Sequence, residues 1–190
     1  FDQSGARIRL DSNSGAVYES TLDDAILCAD VANNGNIIYA TDGENSKSTV
    51  VLVNKSLKKL LQLDVTEGFV TSVAVDSSGK KCAYAVVNSK NADFVTTVYT
   101  INAGDDKPVA SFEFTSSSVI DLSYSSSALF VVCDNNVSVI KNQKKIKTVF
   151  ENSNIVAVNY TYTDNNQLVF VYADYAQATE NKVAYINSNG

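Results

Sequence analysis

The stretch VAVDSSGKKCAYAVV, residues 73–87, has the pattern of a β-hairpin. An alternating apolar strand runs into a turn of Asp, Ser and Gly, and a second apolar strand follows it. Small polar residues supply the local hydrogen bonds and the positive φ that a tight hairpin needs. Valine and tyrosine at period two favour strands on either side. Similar hairpins recur at 26–41, 119–133 and 155–173, which predicts a repeat protein.

A second pair of strands is predicted after each of the first three hairpins, at 48–65, 94–114 and 136–150. The repeating unit is therefore four antiparallel strands, and its first strands begin 36 to 49 residues apart. That spacing is the period of a β-propeller blade. The segment LKKLLQL (57–63) has the spacing of a short amphipathic helix, but its place in the blade favours a strand.

The sequence thus predicts one all-β domain over 1–190, a β-propeller-like fold of about four blades. The predicted units are a half-blade at 5–20, blades at 25–65, 70–114 and 119–150, and a partial blade at 155–190. On this prediction the chain starts and ends inside a blade. Its ends could share a blade and close a small ring, or two chains could complete each other as a homodimer. The interpretation we prefer is that the chain is part of a larger propeller.

The composition and the net charge argue against some kinds of binding partner. Hydrophobic residues make up 45% of the 190 residues and charged residues 19%, as in an ordinary globular protein. The net charge of −6 argues against a nucleic-acid binder, which needs a basic surface for phosphates. No stretch approaches the ~18 apolar residues of a membrane-spanning helix. The one basic run, KNQKKIKTV (141–149), is predicted to be a hairpin turn with its lysines in solvent.

Several kinds of catalysis are excluded by residue type. The chain has no histidine, so Ser–His and Cys–His nucleophiles and His-bound zinc are excluded. It also has no glycine-rich phosphate loop, and we predict no cofactor and no metal. Cys28, Cys82 and Cys133 each lie inside an apolar strand and are predicted to be small buried side chains without a disulfide framework.

Paired carboxylates, as in glycosidases, are a catalytic arrangement that the composition leaves open. The candidates are Asp23, Asp24, Asp30, Asp76, Asp121 and Glu151. Most of them fall at strand ends or in turns, where Asp commonly bonds the backbone, and that interpretation is favoured. The loops TDGEN (41–45) and TDNN (163–166) carry calcium-type ligands, but neither has the alternating register of an EF-hand loop, and hairpin turns explain both better.

Tyrosines are concentrated in the last quarter of the chain. Tyr160, Tyr162, Tyr172 and Tyr175 are the candidate binding surface, because an aromatic ring with a polar tip suits sugars and proteins alike. The favoured alternative is that these rings pack in the core with their hydroxyls at the rim.

The residues also carry a family resemblance, in the order IRLDSNSGAVYES (8–20), ADVANNGNIIYAT (29–41) and the run from Val50 to Val87. This chain resembles an uncharacterised, WD40-like propeller family of unknown function from gut Clostridia, over nearly its whole length. The resemblance implies an exported protein anchored by an N-terminal membrane helix, which would precede Phe1. It implies no activity and no catalytic residue.

The function that we expect is a non-catalytic binding or scaffold module on the bacterial cell surface, because propeller loops carry function on a rigid body. Its partner would be a protein or a cell-surface glycan, with no nucleic acid, and the membrane would be reached only through a segment before Phe1. The alternative is a carboxylate-based glycan-acting enzyme whose site is completed by further blades or a partner chain. A third hypothesis is a role in assembly, through blade edges that pair between chains.

Overall fold

The computed structural model describes residues 5–12, 15–90, 93–125, 128–151, 156–163, 167–175 and 178–187. These residues form β-strands, turns and loops, with no helix among them, so the all-β prediction is confirmed. The segment 57–63, whose spacing resembled a helix, contributes a strand. In chain order the strands are β1 (Arg7–Ser12), β2 (Gly15–Thr21), β3 (Ile26–Val31), β4 (Ile37–Thr41), β5 (Ser48–Val53), β6 (Lys59–Val65), β7 (Phe69–Val75), β8 (Lys81–Lys90), β9 (Asp93–Asn102), β10 (Ala110–Thr115), β11 (Val119–Ser125), β12 (Ala128–Cys133), β13 (Asn136–Lys141), β14 (Lys145–Glu151), β15 (Val156–Tyr162), β16 (Leu168–Ala173) and β17 (Lys182–Ile186).

The strands of the described residues form five antiparallel sheets, each from one continuous stretch of chain. Three sheets have four strands, β3–β6, β7–β10 and β11–β14, and within each the strands follow in sequence order. Strands β15–β17 form a three-stranded sheet, and β1 pairs with β2. Short hairpins connect neighbouring strands because antiparallel pairs need no crossover.

Successive sheets pack face to face, with their first strands innermost. Strand β7 lies against both β3 and β11, which are the first strands of the flanking sheets. Four apolar clusters fill the spaces between successive sheets, from the β1–β2 hairpin through to β15–β17. Sheets stacked around their first strands are the arrangement of propeller blades.

The second strand of a blade is the most apolar because its sheet is covered on both faces. Every residue of Ile37–Thr41 and of Ala128–Cys133 is buried. A strand in such a position has no solvent side and therefore needs no polar alternation. This explains why each hairpin in the sequence ends in a richer apolar strand.

Side-chain amides in the β3–β4 turn donate hydrogen bonds to the β7–β8 turn of the neighbouring blade. Asn34 Nδ2 donates to the carbonyl oxygen of Ser78 at 2.8 Å, and Asn36 Nδ2 donates to that of Gly79 at 3.2 Å. Gly79 has a φ of 69°, and a Cβ there would lie 2.5 Å from Asn36 Nδ2. The turn within residues 73–87 therefore requires glycine for its backbone and for the close approach of the adjacent blade.

The basic run 141–149 forms the β13–β14 hairpin. Asn142 and Gln143 both have positive φ, 50° and 59°, as a type I′ turn requires. Lys144 is exposed, as the sequence predicts, but Gln143 is buried. The Gln143 carbonyl oxygen accepts from Thr100 Oγ1 at 2.9 Å, and its Nε2 donates to the Ile101 carbonyl at 3.2 Å. The turn thus docks onto the preceding blade.

An irregularity of register, as a β-bulge produces, recurs in the first strand of each blade from β3 onward, a feature that the sequence analysis missed. It lies between Ile26 and Cys28, Val70 and Ser72, Val119 and Asp121, and Ala157 and Asn159. A bulge twists a strand locally and changes the direction of the next side chain. In β7 that side chain is Ser72, whose Oγ accepts from the backbone N–H of Leu122 in β11 at 3.1 Å.

Candidate functional site

A polar cavity of about 310 Å³ lies where the inner strands β3, β7 and β11 end. This volume is at the lower end of the range for small-molecule pockets, about 300 to 1,000 Å³. Among the described residues no Lys or Arg lines the cavity, and Asp30 is the one carboxylate that does. Its lining residues are Asp30, Val31, Asn33, Val75, Ser77, Ser123 and Tyr124.

Asp30 connects the inner strands of the first two four-stranded blades. One carboxylate oxygen accepts from the backbone N–H of Val75 in β7 at 2.9 Å, and the other accepts from Val31 at 2.8 Å. Burial raises the pKa of Asp30, although both backbone donors oppose the shift. The carboxylate is therefore positioned firmly at the cavity wall.

Asp76 follows directly after β7 and organises the β7–β8 turn. Its Oδ1 accepts from the backbone N–H groups of Lys80 and Lys81, at 2.7 and 2.8 Å, and its Oδ2 from the Ser78 hydroxyl at 2.7 Å. Burial acts to raise the pKa of Asp76, but these donors and the charge of Lys81 outweigh it and the pKa is lowered. For Asp76 the structure supports the turn interpretation.

Asp121 is held differently, at the register shift of β11. Its Oδ2 accepts from the Tyr162 hydroxyl at 2.8 Å. Burial raises the pKa of Asp121 to about 6, and the negative charge of Asp30 adds to the rise, while Tyr162 and the backbone N–H of Leu122 oppose it. An ionisable group shifted toward neutral pH is typical of functional sites, although structural networks also produce such shifts.

The described cysteines offer no nucleophile. Cys82 and Cys133 are buried and Cys28 is partly buried, and all three are free thiols. Burial raises the pKa of each to about 12, so the reactive thiolate is not populated near neutral pH. Tyr124, which also lines the cavity, donates its hydroxyl hydrogen to the Cys82 carbonyl oxygen at 3.3 Å.

The structure separates the four candidate tyrosines by exposure. Tyr160 and Tyr162 pack edge to face, with ring centroids 6.2 Å apart, and Tyr172 lies 4.9 Å from the Phe150 ring. These three rings are partly buried against the β11–β14 sheet, whereas Tyr175 is 61% exposed after β16. A binding surface made by all four residues stays a prediction.

The remaining candidate carboxylates lie away from the inner strands. Asp23 and Asp24 are exposed and line a rim cavity of about 370 Å³, together with Glu44 and Asp64. Glu151 is exposed at the end of β14. Within the described ranges no three His, Cys, Asp or Glu side chains are placed to hold a metal ion. Of the predicted loop at 163–166, residues 164–166 lie outside the described residues.

One signal in the sequence could have identified the inner-strand positions. The residue after the register shift is small or polar in each of the four strands, and in three of them apolar or aromatic residues flank it; these residues are Cys28, Ser72, Asp121 and Asn159. Aligning the first strands on this residue would have set Asp121 apart from the turn carboxylates.

No part of the described chain forms a helix long and apolar enough to cross a membrane.

Fold and site together define a β-propeller-type protein with a polar cavity among its inner strands. A family model described as a family of unknown function (DUF5711) matches residues 1–190, and the chain belongs to this family. No curated protein matches the sequence.

Solved structures share the fold at low identity. The chain is similar to a protein of unknown function from Bacteroides caccae (11% identity, TM-score 0.58, 98% of this chain and 71% of the other). It is also similar to the Neurospora crassa Pan2 WD40 domain (11%, 0.64, 99% and 58%) and to the dihydro-heme d1 dehydrogenase NirN in complex with DHE (13%, 0.65, 99% and 41%). The chain thus spans about two fifths to seven tenths of these proteins, and at such identities the likeness establishes the fold alone.

Proposed function

We propose that this protein is a non-catalytic binding module that takes a ligand in the polar cavity at the ends of β3, β7 and β11. The observation that carries the proposal is the cavity itself, which joins three blades and is lined mainly by hydroxyl, amide and carboxylate groups. Function in propellers resides in loops and strand ends that a rigid body positions.

The lining favours a neutral or cationic polar ligand. Among the described lining residues, Asp30 is the one charged group, and its charge also raises the pKa of Asp121 nearby. An anionic ligand would meet the Asp30 carboxylate without a compensating cation in that lining, which is costly in a partly buried site. The hydroxyl and amide groups of the lining suit a neutral glycan. A protein side chain such as lysine would satisfy the same requirements.

Presentation on the bacterial cell surface forms part of this proposal. It is supported by the resemblance of the sequence to a family of exported, anchored proteins. Digestion of intact cells with an added protease tests it. Loss of the protein from whole cells supports surface exposure, and full protection until lysis contradicts it.

Binding to a glycan array tests the ligand class. Ser77 lines the cavity and is exposed, so Ser77→Trp should fold and fill the cavity. Ser56→Trp, in the exposed β5–β6 turn, is the matched control. We expect neutral or amino-sugar glycans to bind the wild type and the control but not Ser77→Trp. Equal binding by all three proteins, or preference for anionic glycans, would contradict the proposal.

A second candidate function is the carboxylate-based glycan-acting enzyme. The observation in its favour is that Asp121, with a pKa of about 6, lies within electrostatic reach of a second carboxylate, Asp30. A raised-pKa acid beside a second carboxylate is the composition of a glycosidase site. Saturable glycan turnover that Asp121→Asn abolishes would favour the enzyme. Binding without turnover by both proteins would favour the module.

A further inference from the structure

The last described sheet has one apolar face that no other sheet covers. Leu168, Phe170 and Ile186 fill the cluster against β11–β14, with at most 6% of each exposed. Side chains that alternate with them point to the opposite side of the sheet. They form what we call the open face, which consists of Val169, Val171, Val183 and Tyr185.

In the first four-stranded blade, β3–β6, the face equivalent to the open face is covered by the next sheet. In β16–β17, Val171 pairs with Val183 and Val169 with Tyr185. In β4–β5 the pair equivalent to Val171 and Val183 is Ala40 and Val50, and the pair equivalent to Val169 and Tyr185 is Ile38 and Leu52. All four residues of the β4–β5 set are 0% exposed, because the β7–β10 sheet packs on them.

At the open face the equivalent side chains of β17 lie in solvent, and those of β16, Val169 and Val171, are half-buried. Val183 is 51% exposed and Tyr185 is 74% exposed, whereas their counterparts Val50 and Leu52 are fully buried. An exposed valine and tyrosine beside two half-buried valines form an apolar patch of the kind that another molecule covers.

The lack of charge on the open face favours a second open face over the β1–β2 hairpin as its partner. The open face carries no charged residue, so two copies of it can meet without repulsion or buried charge. The other sheet covered on one side, β1–β2, presents two exposed ion pairs, Arg7 with Glu19 and Arg9 with Asp11. Packing the open face on that hairpin would take these charges out of water, which is costly.

We propose that the open face of one copy packs against the open face of a second copy, giving a two-fold symmetric dimer. Two sheets stacked in this way lie about 10 Å apart with interleaved side chains, as in a β-sandwich. A two-fold interface uses the same patch on both subunits, and an uncharged apolar patch is complementary to itself. The interface continues the stacking of sheets within the chain, and Tyr185 is the most exposed of its residues.

Sedimentation velocity over a range of protein concentrations tests the proposal. The wild type should shift toward twice the mass of one chain as concentration rises. Tyr185→Lys and Val183→Lys should each weaken dimerisation at least about tenfold, as expected for residues central to an interface. Phe94→Lys is the matched control, since Phe94 is 69% exposed on β9, and it should dimerise like the wild type. Circular dichroism confirms that each variant is folded.

A fluorescent reporter checks that the open face itself becomes buried. The chain has no tryptophan, so Tyr185→Trp places a single tryptophan at the face, and its indole can be excited at wavelengths where tyrosine does not absorb. Its emission should shift to shorter wavelength with the same concentration dependence as the mass. A wild type that stays monomeric throughout overturns the proposal and leaves the face for a different partner. A dimer that Tyr185→Lys leaves intact also overturns it, because the copies then meet elsewhere, for example at strand edges.

Discussion

Two carboxylates near the inner strands, Asp76 and Asp121, have pKa values shifted in opposite directions. Asp76 accepts three hydrogen bonds in the β7–β8 turn and its pKa is lowered. Asp121 is partly buried at the register shift of β11 and accepts one side-chain hydrogen bond, from Tyr162. Burial raises its pKa to about 6. The number of donors, set against burial, decides the direction of each shift.

The difference separates a structural residue from a candidate functional one. A carboxylate with a lowered pKa stabilises the fold at neutral pH, whereas one with a raised pKa costs stability there. Residues that cost stability are often kept for what they do rather than for the fold. Asp121 lies outside the cavity lining, but it precedes Ser123 of that lining by two residues, and the charge of the lining residue Asp30 raises its pKa.

The largest effect is expected for Asp76→Ala. The substitution leaves the N–H groups of Lys80 and Lys81 without their acceptor, and we expect the free energy of unfolding to fall by about 2–4 kcal/mol. Urea denaturation measures it. The control is Asp105→Ala, in the exposed β9–β10 turn, which should change stability by less than about 0.5 kcal/mol. Equal effects of the two substitutions would show that Asp76 does not hold its turn.

Asp121→Asn should have the opposite sign and stabilise the protein. In the folded state the pKa of Asp121 is about 6, against 3.8 for an ordinary Asp, so folding favours its protonated form. Its contribution to stability is therefore full below pH 3.8 and is lost as pH rises through about 6. We expect Asp121→Asn to gain about 1–2 kcal/mol at pH 8.

The pH dependence of that gain is the control. Asn carries no proton to lose and still accepts from Tyr162, so the difference between variant and wild type should vanish near pH 4. The pKa of Asp30 is also raised. Comparing the two proteins at each pH removes the effect of burial on Asp30, and the electrostatic coupling of Asp30 to Asp121 remains part of the measured difference. Destabilisation by Asp121→Asn at pH 8 would mean that the ionised carboxylate is well compensated, contrary to this account.

Tyr162→Phe is expected to have the smallest effect. It removes the 2.8 Å hydrogen bond to Asp121 and should cost about 0.5–1.5 kcal/mol at pH 8. The Tyr162 hydroxyl opposes the rise in the pKa of Asp121, so that pKa should increase further in the variant. Carboxyl ¹³C chemical shifts over a pH series report it. An unchanged or lower pKa of Asp121 would mean that the Tyr162 hydroxyl does not stabilise the ionised carboxylate.

The sequence predicts the fold because the fold rests on local rules. The turn at 73–87 needs glycine, with φ of 69° at Gly79, and alternating apolar residues need a covered sheet face. Both rules repeat with the period of a blade, so they identify the architecture without knowledge of any long-range contact. The same rules assign LKKLLQL to a strand, because β6 is the fourth strand of its sheet.

The site is less predictable because it depends on which residues of different blades meet. Asp30, Asp76 and Asp121 are the same residue type, and each lies in or directly after the first strand of its blade. Their different environments arise from Val75, Lys81 and Tyr162, which lie 45, 5 and 41 positions away along the chain. Burial of Gln143 likewise depends on the neighbouring blade. Such contacts follow from the relative placement of sheets, which a repeat pattern does not specify.

The most direct test of the contrast between the two carboxylates is a ¹³C NMR titration of the aspartate side chains in the folded protein, with Asp121→Asn assigning the signal of Asp121. We expect the pKa of Asp121 near 6 and that of Asp76 below 3.8. Those values would establish a carboxylate beside the cavity that is held at a cost to stability. A pKa for Asp121 at or below 3.8 would contradict the account, because Asp121 would then stabilise the fold in the same way as Asp76.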